Sequence, residues 1–165
     1  MRKVYTMEIK VGMADMNVCS GTDSITTLGL GSCVGVVLWD PTTHICGMVH
    51  VMLPDSTSIR NNTNVAKFAD SGIEELLKRV IAKGAKRQNL VSKIAGGAKM
   101  FSVNNKSEML SIGDRNVEAS ISKLKELKIP LKAQDTGDCY GRTVTFYPET
   151  GQYHIKRVGK ELKII

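Results

Sequence analysis

The stretch "CVGVVLWDPTTHICGMVHVML", residues 33–53, constrains the fold of this 165-residue chain more than any other. Two runs of β-branched and bulky apolar residues flank Pro-Thr-Thr-His, which begins with a turn-favouring proline, so the stretch reads as an antiparallel hairpin. Opposed residues in such a pair keep a constant index sum, and a turn over 41–44 sets that sum between 83 and 85. At 83, Cys33 opposes His50. At 85 it opposes Met52, with His50 diagonal on the same face and within cross-strand reach. A sum of 84 turns His50 to the other face, because a one-residue slip inverts a strand.

The remaining pattern extends this into a layered fold. "KVYTMEIKVGM", "DMNVCS" and "SITTLGL" precede the hairpin with strand-like alternation. Apolar residues at Val65, Phe68, Ala69, Gly72, Ile73, Leu76, Leu77, Val80 and Ile81 form one helical stripe, with Asn and Thr before it and Gly84 after it. "LVSKIAGGAKMF" reads as a strand that breaks at Gly96 and Gly97. A second helix over "NVEASISKLKELK" stops before Pro130. "LKAQD", "TVTFY" and "YHIKRV" are three further strands, the last two joined by "PETG". The expectation is an α+β fold, an α/β sandwich of mixed, largely antiparallel sheet layers with two main helices packed on them. One domain, 1–165, is expected, because a chain of this length buries roughly 70% of its unfolded surface.

Composition excludes several classes. No run nears the ~20 apolar residues needed to span a bilayer, and "MRKVYTMEIK" lacks the apolar core of a signal peptide, so a cytoplasmic protein is expected. There the four cysteines stay reduced, and none has Cys-x-x-Cys spacing for a metal or redox pair. The net charge of +7 comes from scattered residues, and at 5% aromatics there are too few stacking platforms for nucleic acid. Steering towards an acidic protein partner fits that charge better. "GGAKMF" and "DTGDCYGR" match no phosphate-binding pattern and read as tight turns at the rim of a site.

Cysteine beside histidine has a chemical use. A neighbouring imidazole can take the thiol proton to give the sulfur nucleophile that attacks carbonyl carbon. Glycines around Cys33 leave the sulfur little expected cover; Gly29 and Gly31 let the backbone bend, and N–H groups in "GLGSC" can face an oxyanion. Thr26 and Thr27 on the preceding strand point oppositely, so only one can orient the histidine. Cys19 and Cys46 read as core residues and Cys139 as exposed without a histidine nearby, while His44 and His154 are expected to face solvent.

"TTLGLGSCVGVVLWD", "GMVHVMLPDS", "FADSGIEELL", "GGAKMF", "IGDRN" and "GRTVTFYPETG" together resemble the CheD family of chemoreceptor glutamine deamidases. The resemblance runs collinearly from about Lys10 to the C-terminus and implies hydrolysis of particular glutamine side chains on the cytoplasmic helices of methyl-accepting chemotaxis receptors. It places the nucleophile on Cys33, the base on His50 and the orienting threonine on Thr27, and requires no metal or organic cofactor. The implied partners are the receptor cytoplasmic domains and the CheY-P phosphatase CheC, with no nucleic acid and no membrane insertion, for a monomer or a heterodimer with CheC. A non-catalytic adaptor that activates CheC is the alternative. Met100 and Phe101 are candidates for docking.

Overall fold

The hairpin sits at the centre of the structure. In the computed structural model, which describes residues 6–58, 63–99 and 111–165, strand β4 (Val34–Asp40) pairs antiparallel with β5 (Ile45–Val51). Gly35 lies opposite His50 and Val34 opposite Val51, an index sum of 85. Asp40 fixes that register at the turn. Its Oδ1 accepts the Thr42 N–H at 2.9 Å and the Thr42 hydroxyl at 2.7 Å, and its Oδ2 accepts the Lys86 N–H at 2.8 Å. Burial pushes the carboxyl up, but these donors outweigh it and bring its pKa down to about 2.

Two five-stranded sheets stack on one another. One has the order β1 (Glu8–Val11), β3 (Ser24–Leu30), β8 (Arg142–Tyr147), β9 (Gln152–Arg157) and β10 (Lys163–Ile164). The other runs β2 (Met16–Ser20), β5, β4, β6 (Val91–Gly96) and β7 (Leu131–Thr136). Among the described strands β1–β3 and β6–β7 pair in parallel and the other pairings are antiparallel. Helices α1 (Ala69–Lys83) and α2 (Ile112–Glu126) pack on the second sheet. The α+β class expected from the sequence is the one found, and β10 is an added strand of two residues.

Strand period 2 sorts the hairpin into two cores. Val34, Val36, Leu38, Val49 and Val51 face the helices and pack with Ile73, Leu76, Val80 and Leu124. Val37, Cys46 and Met48 face the first sheet and pack with Ile25, Leu30, Val144, Phe146 and Tyr153. Burial on both faces explains why β4 and β5 read as continuous apolar runs rather than alternating ones.

Both helices differ from their periodic stripes at the N-terminus. Val65–Lys67 is a separate 3-10 turn capped by the Asn64 side chain, and α1 starts only after the extended Phe68. Gly84 closes α1 at φ +122, as its place in the sequence implied. Helix α2 starts a turn earlier than "NVEASISKLKELK", because the Ser111 hydroxyl accepts the Asp114 N–H and caps it. Its buried face is Gly113, Asn116, Ser120 and Leu124, while Val117, Ile121 and Leu127 are only partly buried.

Candidate active site

The site grows from the end of β3. Thr27, buried at the sheet–sheet interface, places its hydroxyl 2.8 Å from the Val11 carbonyl and 2.7 Å from His50 Nδ1. A hydroxyl has one proton, and the Val11 carbonyl can only accept, so that proton is assigned to Val11. The Thr27 oxygen must then accept from Nδ1–H, and the imidazole carries its free lone pair on Nε2. Thr26 points the other way, donating to the Val144 carbonyl at 2.7 Å and meeting the Thr145 hydroxyl at 3.0 Å. The alternative left open by the sequence is thereby decided: Thr27 is the residue that touches the histidine.

His50 is 1% exposed, and its Nε2 has no hydrogen-bond partner among the described residues. Burial pushes its pKa down, so the ring is neutral near pH 7. The register puts Cys33 just beyond the paired part of β4, on the face that carries His50. The cysteine is not the sparsely covered thiol expected from its glycines: it is 8% exposed and belongs to the inter-sheet core. Burial pushes its thiol up, opposed by its own backbone N–H. A neutral thiol and a neutral imidazole thus share one face.

The cover comes from segments distant in sequence, which clamp the cysteine loop by its carbonyls. Gly31 O accepts the Ala98 N–H at 2.9 Å, Ser32 O accepts Asn116 Nδ2 at 2.9 Å, and Cys33 O accepts the Gly97 N–H at 2.8 Å. A planar trans peptide points its N–H opposite its C=O, so the Ser32 and Cys33 N–H groups are aimed away from this clamp. They are the donors available to an oxyanion.

The "GGAKMF" glycines make the clamp possible. Gly96 and Gly97 adopt φ +115 and +66, and a Cβ on Gly96 would run into the Cys33 carbonyl oxygen. Gly113 lets the first turn of α2 approach the Gly97 carbonyl equally closely.

Sequence reasoning missed Asn116. Fully buried on α2, its Nδ2 donates to Ser32 O and to Met52 O, both at 2.9 Å. Two carbonyl acceptors fix which end of the amide is the NH2. The residue before Cys33 is thus tied to the residue two past His50. A second brace, also unforeseen, is the buried Arg142–Asp135 pair, with Nε to Oδ2 at 3.0 Å. Arg142 Nη1 also donates to the Gly137 carbonyl, and Lys163 Nζ reaches Asp135 Oδ1 at 2.8 Å.

The other candidates lie elsewhere. Cys19 and Cys46 are buried directly opposite one another on β2 and β5, and Cys139 is exposed. His44 is exposed in the hairpin turn, whereas His154 is only half-exposed, because its ring packs 4.6 Å from that of Tyr147. Met100 and Phe101 lie outside the described residues. Among the described residues no helix is long and apolar enough to cross a membrane.

Comparison with known proteins bears on the whole chain. A crystal structure of the Bacillus licheniformis hypothetical protein YfiH superposes with a TM-score of 0.49 at 15% identity, covering 76% of this chain and 51% of that one. The family model for CheD chemotactic sensory transduction matches residues 52–157. The probable chemoreceptor glutamine deamidase CheD of Lachnoclostridium phytofermentans is 62% identical over 157 residues, 95% of this chain and 98% of the relative. The chemoreceptor glutamine deamidase CheD of Halalkalibacterium halodurans is 50% identical over 151 residues, 91% and 93% of the two chains. A probable CheD of Caldanaerobacter subterraneus is 49% identical, with 95% and 97% covered. Identity of this depth along nearly the full length of several relatives leaves one conclusion: the chain is a member of the CheD family.

Proposed function

We propose that this protein hydrolyses glutamine side chains of chemoreceptor cytoplasmic domains to glutamate, with Cys33 as nucleophile, His50 as base and Thr27 as its orienting group. The observation that carries this reading is the His50 ring. Its Nδ1 is spent on Thr27, and its Nε2 lone pair, on the face shared with Cys33, is unpartnered among the described residues.

The chemistry follows from that tautomer. As the sulfur bonds to the amide carbon, the thiol proton passes to Nε2, and the carbonyl oxygen takes up charge against the Ser32 and Cys33 N–H groups. His50 returns the proton to the nitrogen, the C–N bond breaks and ammonia leaves. Water then attacks the thioester, giving its proton to Nε2; the C–S bond breaks, and the sulfur recovers that proton. The sum is glutamine plus water to glutamate plus ammonia, and Cys33 and His50 return to their starting states. Because burial holds both partners neutral at rest, proton transfer accompanies attack rather than preceding it.

Incubation with a receptor cytoplasmic fragment, followed by mass spectrometry of its peptides, tests the reading. Wild type converts amide to acid at particular glutamines and Cys33→Ala does not; identical spectra for the two sink it. Peptide-bond cleavage in place of deamidation marks a thiol protease instead.

Binding to the phosphatase CheC belongs to the same proposal, as a monomer that forms a heterodimer. The slight exposure of Cys33 favours one alternative, an adaptor whose output is CheC activation. On that reading Cys33→Ala leaves both CheC stimulation and receptor composition as in wild type.

A further inference from the structure

Beside the proposed site runs an open groove of about 1220 Å³ that the reaction does not use. One wall is Leu28 and Gly29, the residues between Thr27 and the cysteine loop. The β3–β8 pairing shifts there: Thr27 opposes Val144 but Leu30 opposes Arg142, and Gly29 sits at φ +69. A bulge of this kind re-aims side chains at a strand end. Strand alternation sets Leu28 on the outer face with Thr26, and the bulge returns Leu30 to the core while Leu28 stays 63% exposed.

The opposite wall is the segment linking β9 to β10. It presents Val158 at 92% exposure and Leu162 at 54%, next to Lys156, Arg157 and Lys160. Among the described residues no carboxylate lies within ion-pair distance of those three cations. Arg157 and Lys160 instead lie near the Tyr140 ring, at 5.8 and 4.8 Å from its centre. An aromatic face holds a cation without cancelling its charge. Three exposed aliphatic side chains and three cations outside ion-pair distance of any described carboxylate therefore share one groove with a single acid, Glu161, and the groove is continuous through Leu28 with the segment that orients His50.

We propose that this groove docks an acidic, amphipathic segment of the receptor flanking the target glutamine. Its apolar side covers Leu28, Val158 and Leu162, and its carboxylates meet Lys156, Arg157 and Lys160. The proposal rests on the deamidase reading and adds how the substrate is chosen. Clustered uncancelled charge of one sign recruits a partner of the other and loses effect as salt rises.

Full-length protein carrying Lys156→Glu with Lys160→Glu, and separately Val158→Ser, is assayed on a receptor cytoplasmic fragment, with KM and kcat measured at low and high sodium chloride. The charge reversals are expected to raise KM by about 10-fold with kcat held within about 2-fold. High salt should narrow the gap to wild type, and Val158→Ser should raise KM regardless of salt. Unchanged KM in active variants overturns the groove and leaves the deamidase standing, as does a fall in kcat without a change in KM. Weakened binding of purified CheC with unchanged receptor KM assigns the groove to another occupant and also overturns it. If wild type itself turns over no receptor glutamine, the deamidase reading fails and the groove proposal falls with it.

Discussion

Cys33 and Cys46 occupy the same face of the same sheet, both are buried, and burial pushes both thiols up. Their surroundings differ in everything else. Cys46 is the second residue of β5, opposite Cys19 on one side and Trp39 on the other, so its polar neighbour is another thiol. Cys33 sits past the end of β4, with a carbonyl-clamped loop around it and an imidazole whose lone pair is unspent. Burial alone makes a cysteine inert, since the thiolate is the form that reacts. What separates the two is an imidazole with an unspent lone pair, which on the proposed reading takes the proton at the moment of attack.

The sharpest test exchanges their fates. Cys33→Ala is expected to lower receptor deamidation by ~10³-fold or more, as loss of a nucleophile does. Its melting temperature should stay close to wild type, because the site lies at the edge of the inter-sheet core. Cys46→Ala removes a filled position in the middle of that core and should cost about 1 kcal/mol or more in denaturant unfolding, with kcat changed by only a few fold. If Cys46→Ala silences the enzyme while folded, the distinction between the two thiols breaks.

A second test moves from the sulfur to its support. Asn116→Ala leaves the Ser32 and Met52 carbonyls without their shared donor and is expected to destabilise by about 1–3 kcal/mol. Asn116→Asp is the more telling variant. It keeps the shape but offers only acceptors to two carbonyls, so it should lose more stability than alanine, and more activity than stability. Comparable melting temperatures for asparagine and aspartate would show that the amide holds nothing in place.

The contrast between the thiols also marks where the sequence stops being readable. The hairpin was legible, because two apolar runs around a four-residue turn limit the index sum to three values, two of which put Cys33 and His50 on one face. The choice of 85 was not, since it depends on Asp40 reaching Lys86 from across the molecule and on His44 adopting φ +55. The two stacked sheets were also out of reach: β1–β3 and β6–β7 are parallel pairings whose crossovers leave no local signature. Strand β10 is two residues long and sits below any periodic signal. Cover over Cys33 was underestimated because it comes from Gly96, Gly97 and Asn116, more than sixty positions downstream. Asn116 had one available cue: with Ser120 and Leu124 it falls at four-residue spacing on the helix face that is buried, where an amide must find partners.

Thr27 separates orientation from chemistry. Thr27→Val keeps the volume but removes the oxygen that accepts Nδ1–H, which frees the ring to turn or to adopt the other tautomer. The expected loss in kcat is on the order of 10-fold, less than the ~10²–10⁴-fold typical of a general base itself. Thr26→Val, which touches the neighbouring strand and not the ring, should leave kcat unchanged; equal losses at both positions would remove the special role of Thr27.

The smallest effect is in pH, and it reports the histidine twice. Burial lowers the His50 pKa, so the acid limb of kcat/KM should fall below the ~6.5 of a free imidazole. The same shift has a stability counterpart with a fixed sign. Below about 6.5 the unfolded chain takes up a proton that folded His50 refuses, so folding free energy declines from there until the folded ring is protonated. Asp40 acts in a lower window. Its carboxylate is favoured in the folded state, so its contribution is complete above about 4 and disappears as pH falls towards about 2. His50→Gln should therefore flatten the upper part of the acid-unfolding curve and leave the lower part intact, and Asp40→Asn should do the reverse. An acid limb above 6.5 would require the imidazolium to be stabilised in the resting site. That would point to a preformed ion pair with Cys33 thiolate, and proton transfer would then precede attack.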